Sequence, residues 1–215
     1  MKNYYIKWIL IGLLIRLMVM PFTGHWDLLT MYGNAANFFN DPQSIYQSYV
    51  ATYPPLAYIF FATWQKIITS FTTNLTSWLS MPMITAFSQN YAFRNLFFLK
   101  VPYLFFDFGM AFLLIKLADS EERKKQIIKF WMLNPFTIYV SFIFGQFDII
   151  PSFFVVLAVY MAIIKRPLWG VFSLGIGAIF KSYPLLFNFP YVIICFVSWR
   201  EKIKAIVTGI APFIL

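Results

Sequence analysis

Charged residues are scarce in this sequence: they make up 12% of its 215 residues, whereas about 25% is usual for a soluble domain. Hydrophobic residues make up 60%, and their runs approach the roughly 20 residues that a helix needs to cross a bilayer. In lipid the backbone must satisfy its own hydrogen bonds, so such runs form helices. We therefore predict an all-α fold, a polytopic transmembrane helix bundle of about seven to nine spans that forms one module over residues 1–215.

The sequence also has only one cysteine and one histidine, which argues against several kinds of site. Cys195 lies within a hydrophobic run, so neither a disulfide framework nor a thiolate metal site is expected. A zinc site made of protein side chains is not predicted either, because it needs about four ligands of this kind. The net charge of +9 does not indicate a nucleic-acid partner, because Lys and Arg cluster in short loops between hydrophobic runs, as topology signals do.

Hydrophobic runs alternate with polar or basic connections along the whole chain. The first run is followed by others, so we predict a retained span rather than a cleaved signal peptide. The last run begins near residue 205 and reaches Leu215, from which we expect further spans beyond it. The basic connections lie at 119–126, 165–166 and 200–204, and the predicted spans cover 5–22, 96–118, 127–144, 149–164, 168–186 and 191–199.

The stretch 23–54 is polar but contains no Lys or Arg. Because basic residues are enriched on the inner side of a membrane, the basic connections are placed inside. The stretch 23–54 and the turns 145–148 and 181–184 then fall on the outer face of a plasma-membrane-type bilayer. Two alternatives stay open for 56–98: two crossings, with a weak pass around 75–91, or a re-entrant or interfacial hairpin.

Two ionisable residues lie within predicted spans, where insertion costs at least about 2.5 kcal/mol and indicates function. They are Asp107 in KVPYLFFDFGM and Lys181 in AIFKSYP. A pairing that only fixes helix packing is the structural alternative for both. Asp27 follows the first span, beside His25. It is either the N-cap of the helix that LLTMYGNAANFF predicts or a general base that deprotonates a hydroxyl at the membrane surface.

An ordered set of motifs resembles the GT-C glycosyltransferases, polytopic enzymes that use polyprenyl-phosphate sugars. After the early Asp and NAANFF come SIYQSYVATYPPLAY, FRNLFFLKVPYLFFDFGMAFLL, LNPFTIYVSFIFGQFDIIPSFF and GAIFKSYPLLFNFP. The likeness is closest to the mannosyltransferase that adds the first mannose of GPI anchors and to the dolichyl-phosphate-glucose glucosyltransferases. It implies transfer of a hexosyl group, mannosyl or glucosyl, with inversion, from a polyprenyl-phosphate sugar to a hydroxyl of a lipid or glycan acceptor on the outer face.

The same resemblance implies roles for residues of this chain. The catalytic loop carboxylate corresponds to Asp27, and the lysine of the KxYP pattern and the span aspartate correspond to Lys181 and Asp107. The GPI enzyme has a paired Asp-x-Asp where this chain has His25-Trp26-Asp27, so His25 is expected to supply a hydrogen bond instead. No cofactor is predicted, and the missing first carboxylate argues against a bound divalent cation.

The other predicted substrate-binding residues surround these positions in the motifs. Lys181, with Arg94, is expected to bind the polyprenyl phosphate, because a departing phosphate needs cationic help. Gln146 and Asp148 are expected to hydrogen-bond sugar hydroxyls, and Tyr53 and Tyr183 complete the predicted set.

A transporter or flippase for a lipid-linked or small polar substrate is the main alternative. It would explain Asp107 and Lys181 as a coupling or substrate pair and the stretch 23–54 as a gate. Transporters often contain internal repeats with broken helices in matching halves, and no such repeat is visible. A membrane subunit without chemistry would not require polar residues to collect on one face. Sugar transfer is therefore the preferred prediction.

Overall fold

The computed structural model describes residues 2–47 and 53–213, and its regular elements there are all helical, which confirms the all-α prediction for this part of the chain. The chain divides into two compact units, Met1–Phe105 with Ile128–Phe147, and Phe106–Ile127 with Asp148–Leu215. The α-helices are α1 (Lys2–Val19), α2 (Trp26–Phe38), α3 (Pro42–Gln47), α4 (Pro55–Ile68), α5 (Leu75–Leu79), α6 (Met83–Phe87), α7 (Ala92–Leu117), α8 (Glu121–Met132), α9 (Pro135–Thr137), α10 (Ile149–Ile163), α11 (Pro167–Ala178), α12 (Pro184–Cys195) and α13 (Trp199–Ile210).

Two helical segments in the described residues are long and apolar enough to cross a membrane. One is α7, with 26 residues, and the other is Glu121–Phe144, with 24 residues, in which α8 and α9 lead into a π-helix at Ile138–Phe144. At about 1.5 Å per residue, the 26 residues of α7 exceed the roughly 30 Å hydrocarbon core. The apolar helices α10, α11 and α12 are shorter. The larger number of spans stays a prediction.

Several predicted boundaries were wrong. The predicted span 168–186 is interrupted, because α11 ends at Ala178 and α12 begins only at Pro184. Proline lacks an N–H and is suited to the first turn of a helix, so Pro184 starts α12 rather than continuing α11. Consequently α12 occupies Pro184–Cys195 instead of 191–199. The region 75–91 holds α5 and α6, each of five residues, so no single helix runs through it.

In the first unit, α2 and α4 pack against each other through matching apolar faces. Buried residues recur at helical spacing on both, which places one face of each helix in the core. Pro54 and Pro55 start α4, because proline is suited to a first helical turn. The side-chain amide of Gln65 on α4 donates to the Tyr32 carbonyl on α2 at 2.8 Å. The buried residues are Leu28, Leu29, Met31, Tyr32, Ala35 and Phe38 on α2 and Ala57, Tyr58, Phe61, Ala62, Gln65 and Ile68 on α4.

Helix α1 is joined to the end of α8 by a buried arginine. Arg16 donates from Nη1 to the Met132 carbonyl at 2.8 Å and to the Gly12 carbonyl at 3.0 Å. A Cβ at Gly12 would lie 2.7 Å from the Cβ of Met132, so glycine is required for this close approach. The guanidinium fork satisfies two carbonyls in an apolar setting, which offsets part of the desolvation of its charge.

In the second unit, small residues bring α11 close to its neighbours. A Cβ at Gly175 would lie 2.3 Å from the Gly209 carbonyl oxygen on α13. Ser173 on α11 donates to the Phe154 carbonyl on α10 at 2.8 Å. Helix association through small residues and interhelical hydrogen bonds is typical of membrane helices, which cannot use the hydrophobic effect against lipid.

Candidate active site

Asp27 lies in the first turn of α2 with one of its two carboxylate oxygens held in place. Oδ2 accepts a hydrogen bond from the side-chain amide of Gln146 at 2.6 Å. Oδ1 lies 3.5 Å from His25 Nδ1, which itself accepts a hydrogen bond from the Asp27 N–H, so among residues 2–47 and 53–213 this oxygen has no donor. The Asp27 side chain is 31% exposed, so the carboxylate is not sealed off in the core.

The N-cap of α2 is His25 and not Asp27, so the capping interpretation of Asp27 was wrong. His25 Nδ1 accepts from the main-chain N–H of Asp27 at 3.3 Å, which satisfies one of the unpaired donors of the first helical turn. With Nδ1 as an acceptor, the neutral imidazole carries its proton on Nε2. The ring stacks on Phe144, with 3.9 Å between centroids and 19° between planes. His25 therefore accepts a hydrogen bond from the helix start, and the hydrogen bond that it is expected to supply to the substrate stays a prediction.

Gln146 is aimed at Asp27 by an unusual backbone conformation. The π-helix ends at Gly145, whose φ of +93° is a left-handed conformation that favours glycine. The N–H groups of Gly145 and Gln146 both donate to the Val140 carbonyl, at 3.1 and 2.9 Å. A Cβ at Gly145 would lie 3.1 Å from Leu28 Cδ2, so this turn packs directly on the residue after Asp27. π-Helical segments within helices are frequent at functional sites.

Lys100, a residue that the sequence analysis missed, ties the same two segments together. It is fully buried on α7, and its ammonium donates to the Phe142 carbonyl at 2.8 Å and the Met20 carbonyl at 3.0 Å. It also donates to the carbonyl of Thr23 and to its hydroxyl, the latter at 3.3 Å. The chain entering His25 and Asp27 and the π-helix before Gln146 are thus fixed by one cation. The position of Lys100 inside a hydrophobic run could have indicated its importance, because ionisable residues within spans are costly and are kept for a purpose.

A groove of about 650 Å³ runs beside α2 and begins at the residue before Asp27. Trp26, Thr30, Asn34 and Asn37 line one wall at helical spacing, opposite the buried face of α2. Hydroxyl groups from α5 and the turn after it line the other wall. Trp26 is 50% exposed, and the side chains named on this wall are uncharged. The hydroxyl residues of the second wall are Thr76, Ser77 and Ser80.

In the second unit, Lys181 and Asp148 form an ion pair. Lys181 Nζ lies 2.6 Å from Asp148 Oδ1. Tyr183 shares a hydrogen bond of 2.8 Å with the Ser152 hydroxyl and donates to the Asp148 carbonyl at 3.4 Å. Burial raises the pKa of the Tyr183 phenol, so it remains a neutral donor. Three predicted residues, Asp148, Lys181 and Tyr183, are therefore brought together.

The other predicted residues have contacts of their own. Arg94 contacts the Thr73 hydroxyl at 3.5 Å. Tyr53 packs its ring against Phe147, with 4.8 Å between centroids. Asp107 is fully buried within α7. In the described parts of the chain, no group of three or more His, Cys, Asp and Glu side chains is arranged to hold a metal ion.

Comparison with known proteins assigns the chain to a family. Residues 51–215 match the model of glycosyltransferase family 87. The chain belongs to that family. The protein is therefore a membrane glycosyltransferase, with a sugar donor and an acceptor as substrates. Searches of characterised proteins and of solved structures gave no match.

The family match divides the site residues into two groups. Gln146, Asp148, Lys181 and Tyr183 lie inside the matched residues. His25 and Asp27 lie before residue 51, outside the match, and Asp27 contacts the matched part of the chain through Gln146.

Proposed function

We propose that this member of family 87 moves a hexose, mannose or glucose, from a polyprenyl-phosphate donor to a hydroxyl acceptor with inversion, and that Asp27 is the general base. The observation that supports the proposal most is the Asp27 carboxylate, with Oδ2 bound by Gln146 and Oδ1 left open. A base needs one oriented lone pair within hydrogen-bond reach of the acceptor hydroxyl. Fixing the other oxygen provides that orientation.

The proposed reaction is a single displacement. Asp27 Oδ1 takes the proton from the acceptor hydroxyl as its oxygen forms a bond to C1 of the sugar. The bond between C1 and the phosphate oxygen breaks on the opposite face, and polyprenyl phosphate leaves with the electron pair. Lys181 is proposed to stabilise the phosphate, with its ion pair to Asp148 keeping the ammonium in place before the donor binds. No step requires a cofactor.

The groove beside α2 is proposed to hold the acceptor. Sugars are bound by side chains that combine hydrogen-bonding groups with an aromatic face, and Trp26, Thr30, Asn34 and Asn37 supply both. The structure gives the side chains of Asn34 and Asn37 no hydrogen bond to other described residues, so their amides are free for a ligand. Because Trp26 immediately precedes Asp27, an acceptor in this groove ends beside the proposed base.

The proposal includes the wider topology. We infer a multi-pass protein of about seven to nine spans with Asp27 on the outer face. Its support is the long apolar segments α7 and Glu121–Phe144, the apolar helices α10 to α12, and the basic connections that share one predicted side. Labelling of single introduced cysteines in sealed membranes tests this: a cysteine at Asn40 should react with an impermeant reagent from outside.

The decisive experiment is sugar transfer by membranes that contain the Asp27→Asn variant. Loss of a general base lowers the rate by about 100- to 10,000-fold. Asp41→Asn is the matched control, since Asp41 is an exposed carboxylate in the same polar stretch. Transfer at the wild-type rate by Asp27→Asn would rule out the proposed base. Accumulation of a polar substrate in vesicles, unaffected by Asp27→Asn, would favour transport instead.

The acceptor groove has its own test, Trp26→Ala, with the exposed Trp199→Ala as control. Loss of one stacking face should raise the acceptor KM by about 10-fold, while the donor KM stays unchanged, since an aromatic contact contributes about 0.5–1.5 kcal/mol beyond its buried area. An unchanged acceptor KM would place the acceptor elsewhere and leave the role of Asp27 standing.

A further inference from the structure

A second cavity, of about 580 Å³, lies within the second unit and carries a different chemistry from the groove beside α2. It is bounded by the turn between α10 and α11 and the turn between α12 and α13. Lys165, Arg166 and Lys204 line it together with one carboxylate, Glu201. Its lining therefore has an excess of positive charge and suits an anion.

The three cations have no carboxylate partner in the part of the chain that the structure describes. Glu201 does not neutralise them, because its carboxylate is committed to the start of α13. Its Oε2 accepts from the Ser198 N–H at 3.2 Å, and its own N–H donates to the Ser198 hydroxyl at 3.2 Å. This capping box ties the acid to the helix end, which leaves the cationic groups available.

The remaining walls of the cavity are apolar and open outward. Leu168, Trp169, Phe196 and Val197 line it beside the cations. Trp169 is 61% exposed and Val197 92% exposed, so the apolar wall continues onto the outer surface of the helices. Tryptophan is enriched at the level of lipid headgroups. A cavity that combines cations with an exposed apolar wall matches an amphiphile better than a free ion.

The cationic turn is held in a defined shape. Lys165 has a φ of +62°, a left-handed conformation that is uncommon for a residue with a side chain. It is maintained by two main-chain hydrogen bonds, from Lys165 N to the Ala162 carbonyl at 3.0 Å and from Arg166 N to the Met161 carbonyl at 2.8 Å. The floor beneath the cavity is a packed cluster that includes Val171, Val192 and Ala205. The main chain that carries Lys165 and Arg166 is thus held by hydrogen bonds and lies beside a packed cluster.

We propose that this cavity binds the phosphate headgroup of an anionic phospholipid from the surrounding membrane, independently of the transfer reaction. Arg166, Lys165 and Lys204 surround the phosphate, and the glycerol and the start of the acyl chains lie along Trp169 and Val197. Basic pockets between membrane helices bind anionic headgroups in this way, and each basic residue near an anionic surface contributes measurably to affinity. Both basic turns belong to the predicted inner side, where anionic lipid is recognised.

The test is a titration of the detergent-solubilised protein with dioleoyl phosphatidylglycerol, followed by the thermal unfolding midpoint. Parallel titrations use dioleoyl phosphatidylcholine and sodium phosphate. Phosphatidylglycerol should raise the midpoint at concentrations at which the other two do not. In the triple variant K165Q/R166Q/K204Q the apparent affinity for phosphatidylglycerol should fall by about 100-fold, since each cation contributes roughly a factor of five.

The control variant R123Q/K124Q/K125Q removes the same charge from α8, outside the cavity, and should bind phosphatidylglycerol as the wild type does. The single substitution Arg166→Gln is measured alongside, with about a fivefold loss expected, in case the triple variant does not fold. Equal stabilisation by phosphatidylcholine would overturn the proposal, because the acyl chains alone would then explain it. Equal stabilisation by sodium phosphate would also overturn it in favour of a free anion. An equal loss in the control would show a non-specific charge effect.

Discussion

The contact between Gln146 and Asp27 leads to the sharpest prediction about catalysis. Gln146→Leu keeps the approximate size of the side chain and removes the amide that lies 2.6 Å from Asp27 Oδ2. A hydrogen bond to a charged group contributes about 1.5–3 kcal/mol, which corresponds to about 10- to 150-fold in rate if it acts fully in the transition state. Asp27 is 31% exposed, so water replaces part of the lost bond, and we expect a fall in kcat of about 10-fold.

The assay is the initial rate of sugar transfer at saturating donor and acceptor. Gln89→Leu is the matched control, because within residues 2–47 and 53–213 the Gln89 amide donates only to the Thr85 carbonyl, at 3.2 Å. Gln146→Glu should be worse than Gln146→Leu, since two carboxylates at this distance repel each other unless one takes up a proton. Each variant is checked for its thermal unfolding midpoint. A folded Gln146→Leu protein with wild-type kcat would show that orienting Oδ2 is irrelevant to the reaction.

Two further predictions concern the buried and paired lysines. Lys100→Met removes the buried ammonium, so the carbonyls of Met20, Thr23 and Phe142 lose this donor, and within the described residues the Phe142 carbonyl keeps only the Thr23 hydroxyl, at 3.0 Å. The unfolding midpoint and kcat should both fall, because each buried carbonyl that loses its donor costs about 1–3 kcal/mol. Lys116→Met, at an exposed position, should change neither. Lys181→Gln should raise the donor KM and lower kcat, because the phosphate loses its cation. Asp148→Asn in the same protein should not restore transfer. Restoration by the double variant would show that the Lys181–Asp148 ion pair only stabilises the fold.

Composition and hydrophobic runs were enough to predict a helical membrane protein, because the need to satisfy the backbone in lipid is a local requirement. The helix at LLTMYGNAANFF and the polar character of the stretch around Asp27 also follow from local sequence. Helix ends were less predictable. The break between Ala178 and Pro184 falls inside a hydrophobic run, where hydropathy does not distinguish one continuous span from two shorter helices.

The candidate site could be predicted only in part. Asp27, Gln146, Asp148 and Lys181 could be predicted as site residues from the motifs. The hydrogen bond from Gln146 to Asp27, the ion pair between Asp148 and Lys181, and the contacts of Lys100 could not. These contacts join residues far apart in the chain, and only the packing of helices brings them within hydrogen-bond distance.

The sequence by itself determined that this protein lies in a membrane, because its helices are apolar and its charges are few. It also determined which residue types are available for chemistry, above all the carboxylate in the polar stretch 23–54. Only the tertiary structure decided which partner each charge has. The Asp27 carboxylate meets an amide 119 residues away, because a left-handed glycine at the end of a π-helix turns Gln146 toward it. Periodicity along one helix carries no information about this contact, because the contact depends on which helices pack together and on how they are aligned along their axes.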